Sequence, residues 1–128
     1  MSLPPAPRVH LLFVDDDENQ RRLHQRLFEH FGYTVTSAGS AHEALRALET
    51  PGIDLVVTDW NMPDQNGIAL ATAIHARWPG LPIILLTGYG VADAERAAAG
   101  SGITRVIGKP VMLDELRTIV NATLKTTA

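Results

Sequence analysis

Four short stretches of the chain carry side chains that can do chemistry, and each closes an apolar run. Asp15-Asp16-Asp17-Glu18 follows the first run, Thr58-Asp59 a later one, Thr87-Gly88 the next and Gly108-Lys109-Pro110 the last. Singly, each has an ordinary use. The acids can cap a helix and face its dipole, Asp59 and Thr87 can form turns, and Lys109 can be a solvated lysine. As a set they say more. Two carboxylates about 5 Å apart repel by roughly 3 kcal/mol at an effective dielectric near 20, so a fold that gathers them needs a cation among them. Oxygen donors without sulfur or histidine favour a hard ion, Mg²⁺ or Mn²⁺. A carboxylate beside such an ion, faced by an ammonium and a hydroxyl, is arranged for phosphoryl transfer. The carboxylate attacks phosphorus in line and becomes an aspartyl phosphate. Positive charge neutralises the equatorial oxygens, and the hydroxyl donates to one of them.

These residues converge only if the elements before them align. Apolar runs at 9–14, 33–37, 53–58, 81–86 and 103–107 read as strands. Amphipathic stretches lie between them. Leu23, Leu27 and Phe31, four apart, define one helical face that ends at Gly32, a C-cap. Ser40 and Glu43 form a capping box before Ala41, Ala44, Leu45 and Leu48. Leu70, Ala71, Ile74 and Trp78 mark a third helix, the alanine-rich stretch 91–99 a fourth, and Leu113, Leu116, Val120 and Leu124 a fifth, from Val111 to about Leu124. Five βα units whose strands are apolar without alternation predict a parallel sheet covered on both faces. Ligands of such a sheet bind beyond the carboxyl ends of the strands, which is where all four stretches fall.

The composition agrees with one ordinary domain. The chain has 128 residues, 45% hydrophobic and 20% charged, with no cysteine and a formal net charge of −3. That excludes a disulfide framework and a thiolate metal site. It argues against a nucleic-acid binder that tracks phosphates. No apolar run approaches the roughly 18 residues of a membrane span. Residues 1–7 lack a secretory pattern and read as a flexible lead-in to a single domain over 8–128, and the expected compartment is the cytoplasm. Lysine is scarce: of eleven basic residues only Lys109 and Lys125 are lysines.

Phe13-Val14-Asp15-Asp16-Asp17-Glu18, the stretch from Asp59 to Gly67 (Asp-x-x-Met-Pro-x-x-x-Gly), Leu86-Thr87-Gly88 and Gly108-Lys109-Pro110-Val111 together resemble the receiver domain of bacterial two-component response regulators, over about residues 8–124. The resemblance implies a flavodoxin-like, doubly wound α/β fold: a five-stranded parallel sheet in order 2-1-3-4-5 with five helices. It implies Asp59 as phosphoacceptor, and Asp15 and Asp16 as the acidic pair that holds Mg²⁺ together with Asp59 and the Asn61 backbone carbonyl. Thr87 would be the switch hydroxyl and Lys109 the contact to the phosphoryl group, with a cis Lys109-Pro110 bond. The donor would be a histidine kinase or a histidine phosphotransfer domain. The fourth helix, fifth strand and fifth helix would form the output face, a homodimer surface among its expected uses. The downstream target, or a linked output domain, is not specified. The chain ends soon after its last helix, so the expectation is a single-domain regulator or a receiver excised from a larger protein.

Two features depart from the pattern or strain it. Val106 stands three positions before the lysine, where the family commonly has an aromatic, so aromatic coupling to Thr87 is unavailable. Three consecutive aspartates admit two registers; Asp15 and Asp16 directly follow Val14, which leaves Asp17 to cap a helix. Tyr89, two residues beyond Thr87 as Asn61 is beyond Asp59, is expected to shield the phosphoryl group from water.

Other signals are set aside. Gly102 to Lys109 is one residue too long for a phosphate loop, and Pro110 replaces its Ser/Thr. His24, His30, His42 and His75 show no ligand spacing and read as surface or boundary residues. A phosphohydrolase using an aspartyl phosphate would need a second aspartate after Asp59 and a cap insertion, and the chain has neither. A pseudo-receiver that is never phosphorylated has only Val106 in its favour.

Overall fold

The computed structural model describes residues 8–62, 64–88 and 90–127. The lead-in 1–7, Pro63 and Tyr89, with the shielding role expected of it, lie outside the described residues.

Ten elements alternate along the chain: β1 (His10–Val14), α1 (Glu18–His30), β2 (Thr34–Ala38), α2 (Ala41–Leu48), β3 (Leu55–Asp59), α3 (Gly67–Arg77), β4 (Ile83–Thr87), α4 (Val91–Ala98), β5 (Arg105–Gly108) and α5 (Leu113–Thr127). The strands form one sheet in the order β2-β1-β3-β4-β5, and every pairing is parallel. This is the doubly wound topology that the family resemblance implies.

The side-chain period of two splits the buried strands into two cores. Leu11, Phe13, Leu55, Val57, Ile84 and Leu86 pack with Phe28 of α1 and with Leu116 and Val120 of α5. Leu12, Val14, Val56 and Ile83 pack with Ala41, Ala44 and Leu48 of α2 and Leu70, Ala71 and Ile74 of α3. β3 and β4 are buried along their whole length. Each fully buried leucine or isoleucine contributes about 1.5–3 kcal/mol, so these two strands supply much of the core's stabilisation.

The face of α1 differs from the sequence expectation by one position. Leu23 is 47% exposed, Leu27 and Phe31 are half-buried, and His24 and Phe28 are buried. Aromatic packing decides the rotation: Phe13 lies between the two rings, with centroids 5.2 Å from His24 and 5.1 Å from Phe28. His24 is therefore a core residue rather than a surface one. Gly32 has φ 101° after the helix, the left-handed conformation of a C-cap glycine. Tyr33 then donates its N–H to the Phe28 carbonyl at 3.0 Å, which delays β2 to Thr34.

Among the described residues no helix is long and apolar enough to cross a membrane.

Candidate functional site

The carboxyl ends of β1, β3 and β5 converge on one edge of the sheet. Asp15, the first residue after β1, is fixed from three sides. Its N–H donates to the Ala38 carbonyl of β2 at 3.0 Å. Its carbonyl accepts from Arg21 Nη1 at 2.8 Å. Its carboxylate Oδ1 accepts the Asp17 N–H at 2.9 Å. Asp17 is the N-cap of α1, accepting from the N–H groups of Asn19 and Gln20. The third aspartate thus serves the helix, and Asp16 stays exposed between them with no hydrogen bond to its carboxylate among the described residues.

Asp59 ends β3 in register with Leu86 and is 7% exposed. The backbone that follows holds it there. The Trp60 N–H donates to the Leu86 carbonyl at 3.0 Å, and the Gly67 N–H to the Trp60 carbonyl at 2.6 Å. Gly67 must lack a side chain: a Cβ would press on the Asp59 carbonyl oxygen far inside van der Waals contact and meet Leu85 Cδ1 at 2.8 Å. Asn66 caps α3 through the Ala69 N–H, closing the loop.

Lys109 follows β5. Its N–H donates to the Thr87 carbonyl at 2.7 Å, and the Lys109-Pro110 bond is cis. Its Nζ lies 2.6 Å from Asp59 Oδ1 in an ion pair, with the lysine side chain 41% exposed. One carboxylate oxygen from each of Asp15, Asp16 and Asp59 lies within 4.8 Å of the other two. Burial and the adjacent Asp59 carboxylate push Asp15 up to about 6, against the lowering effect of the Asp17 N–H and Lys109. One ammonium does not balance three carboxylates, and a hard divalent ion bound by oxygens fits this donor set.

These groups line a cleft of about 640 Å³ together with Asn61, Gln20, His24 and Val111. The four acidic-site residues named from the sequence, Asp15, Asp16, Asp59 and Asn61, therefore meet there with Lys109. Thr87 does not line this cleft. It is 1% exposed at the end of β4, paired with Gly108. Val106 is half-buried and in register with Leu85. Sequence reasoning missed His24. Burial holds its imidazole below its usual pKa, with Lys109 adding to the effect and Asp15 opposing it. The signal available was its helical position, four residues before Phe28.

A family model described as the response regulator receiver domain matches residues 11–121. The transcriptional regulatory protein GlrR of Escherichia coli K12 is 36% identical over 128 residues, and the chain spans 28% of its length. The chemotaxis protein CheY of Pseudomonas aeruginosa is 34% identical over 110 residues, which cover 84% of this chain and 89% of that protein. A solved CheY-like receiver domain protein of Methanospirillum hungatei superposes with a TM-score of 0.89 at 28% identity, covering 94% of this chain and 97% of that one.

Proposed function

The chain belongs to the response regulator receiver domains, the phosphoacceptor modules of two-component signalling, and from that membership we propose that Asp59 is the residue phosphorylated. The ion pair from Lys109 to Asp59, set among two further carboxylates, carries this reading. Asp59 Oδ1 is paired with the ammonium and lines the cleft as the nucleophile. Attack on the donor's phosphorus forms the Asp59 Oδ–P bond and releases the donor group with its bonding electrons. Lys109 then exchanges its contact with the carboxylate for one with the phosphoryl oxygens.

Asp15, Asp16 and Asp59, with the Asn61 carbonyl, would hold Mg²⁺, or Mn²⁺ in its place. When bound, the ion supplies positive charge against the clustered carboxylates and the phosphoryl oxygens. The chain's own residues supply the nucleophile, the ammonium and the hydroxyl of Thr87. Thr87, at the end of β4, is the hydroxyl through which phosphorylation would bias the switch. With Val106 in the aromatic position, the signal travels through the backbone of β4 and β5 rather than through a rotating ring.

The chain promotes its own phosphorylation and dephosphorylation and is no dedicated enzyme. The donor is a histidine kinase or a histidine phosphotransfer domain. The face formed by α4, β5 and α5 addresses the target or a second copy. Incubation with acetyl phosphate and Mg²⁺, followed by intact mass, tests the chemistry. The expected result is a gain of one phosphoryl group that EDTA abolishes. Steady turnover of a small phosphate ester would instead make it a phosphohydrolase.

A further inference from the structure

The loop between β3 and α3 makes one connection that the phosphoacceptor site leaves unexplained. Asp64, five residues beyond Asp59, reaches across to α2. Its Oδ1 accepts the Ala41 N–H at 3.3 Å, and its Oδ2 accepts the His42 N–H at 3.2 Å. These are first-turn donors that no carbonyl within the helix can serve. Yet α2 already has a local cap. Ser40 Oγ accepts the Glu43 N–H at 3.1 Å, and the Glu43 carboxylate accepts the Gly39 N–H at 2.6 Å. The second closure comes from a distant part of the chain.

The rest of the loop shows what Asp64 is placed to hold. Its two ends are fixed by the Trp60 and Gly67 backbone bonds and by the Asn66 cap. Between Asn61 and Gln65, the bonds of Asp64 are the only hydrogen bonds among the described residues that run to another element. The Asp64 carboxylate is held below its usual range: slight burial raises it, but the N–H groups of Gln65, His42 and Ala41 outweigh that. An anion at the positive end of a helix is well seated.

We propose that Asp64 is a positioning residue for the acidic site. By fastening the middle of the loop to the first turn of α2, it keeps Asn61, three residues upstream, where its backbone completes the donors around a divalent cation. The inference rests on the reading that Asp15, Asp16 and Asp59 hold that cation. Linkage then runs both ways: a cation that settles the loop is felt at the Ala41 and His42 N–H groups.

Calorimetric titration of the whole chain with Mg²⁺ tests this, using the unsubstituted protein, Asp64→Ala, Asp64→Asn and Ser40→Ala. Asp64→Ala is expected to weaken Mg²⁺ binding by roughly tenfold, the low end for residues that orient metal ligands. Asp64→Asn, which keeps an acceptor oxygen, recovers most of the loss. Ser40→Ala strips α2 of its own cap without touching the loop and leaves the affinity unchanged. In amide NMR spectra, the Ala41 and His42 signals move on Mg²⁺ addition in the unsubstituted chain and stay still in Asp64→Ala. Equal affinity in Asp64→Ala, an equal loss in Ser40→Ala, or α2 amides that move regardless of Asp64 overturns the inference. An unsubstituted chain that binds no Mg²⁺ overturns the cation reading beneath it, a distinct result.

Discussion

β3 has an aspartate at each end, and the two meet different surroundings. Asp54, just before the strand, accepts the His10 N–H at 2.8 Å and returns its own N–H to the His10 carbonyl at 2.7 Å. It lies in a cleft of about 910 Å³ walled by prolines, Leu81 and Trp78, with the Arg77 guanidinium over the indole ring. Asp59, at the other end, lies in a cleft of about 640 Å³ with two more carboxylates and a lysine. The larger hollow holds one carboxylate, already bonded to the neighbouring strand. The smaller one holds a charge imbalance that a ligand must resolve. Convergence of charge, rather than volume, marks the place of the proposed chemistry, at the edge where the parallel strands end.

The sharpest way to break this contrast is to neutralise each aspartate in turn. Asp59→Asn is expected to abolish phosphoryl incorporation from acetyl phosphate, and Asp54→Asn to leave it intact, both read by intact mass. Next in size is the cation. Lys109→Ala should slow phosphorylation by roughly a hundredfold or more, as expected for losing a donor aimed at developing charge. Arg77→Ala, at the opposite edge, should leave the rate unchanged.

Smaller effects sharpen the contrast through the backbone. Gly67→Ala forces a methyl group onto the Asp59 carbonyl and should cost about 1–3 kcal/mol in denaturant unfolding. Gly80→Ala, with open space around the added carbon, should stay within about 0.5 kcal/mol of the parent.

The last prediction concerns pH. Asp15 is raised to about 6 in the metal-free fold. Its contribution to metal-free stability is therefore present below the unfolded value of 3.8 and is lost as pH rises through about 6. A cation held by Asp15 would have to displace that proton. Mg²⁺ affinity should be level above pH 7 and fall by about tenfold per unit below about 6. Calorimetry across pH 5–8 checks it, and a flat profile would place Asp15 outside the ligand set.

Much of this was legible in the sequence because the relevant signals are local. Apolar runs ending in acids marked the strands and their edge. Asp17 could be assigned to the cap because the residue before α1 has an open first turn to serve. The face of α1 was not legible, because Leu23 and His24 differ in hydrophobicity in the wrong direction. Only the position of Phe13 on a neighbouring strand shows that the histidine ring is the one stacked inside. β5 also begins later than its apolar letters suggest. Ile103 packs against the α2–α3 core, and the Thr104 N–H pairs with the Ile83 carbonyl before the ladder starts at Arg105. The Asp64 bridge to α2 joins residues 22 and 23 apart, and no spacing rule announces it.

Reductive trapping bears most directly on the role of Asp59. The chain is treated with acetyl phosphate and Mg²⁺, reduced with borohydride, which converts an acyl phosphate to an alcohol, and digested for peptide mass mapping. Conversion to homoserine at Asp59, with Asp15, Asp16 and Asp54 untouched, is the predicted result. Homoserine at any other aspartate, or none in a chain that has gained the phosphoryl group, would contradict it.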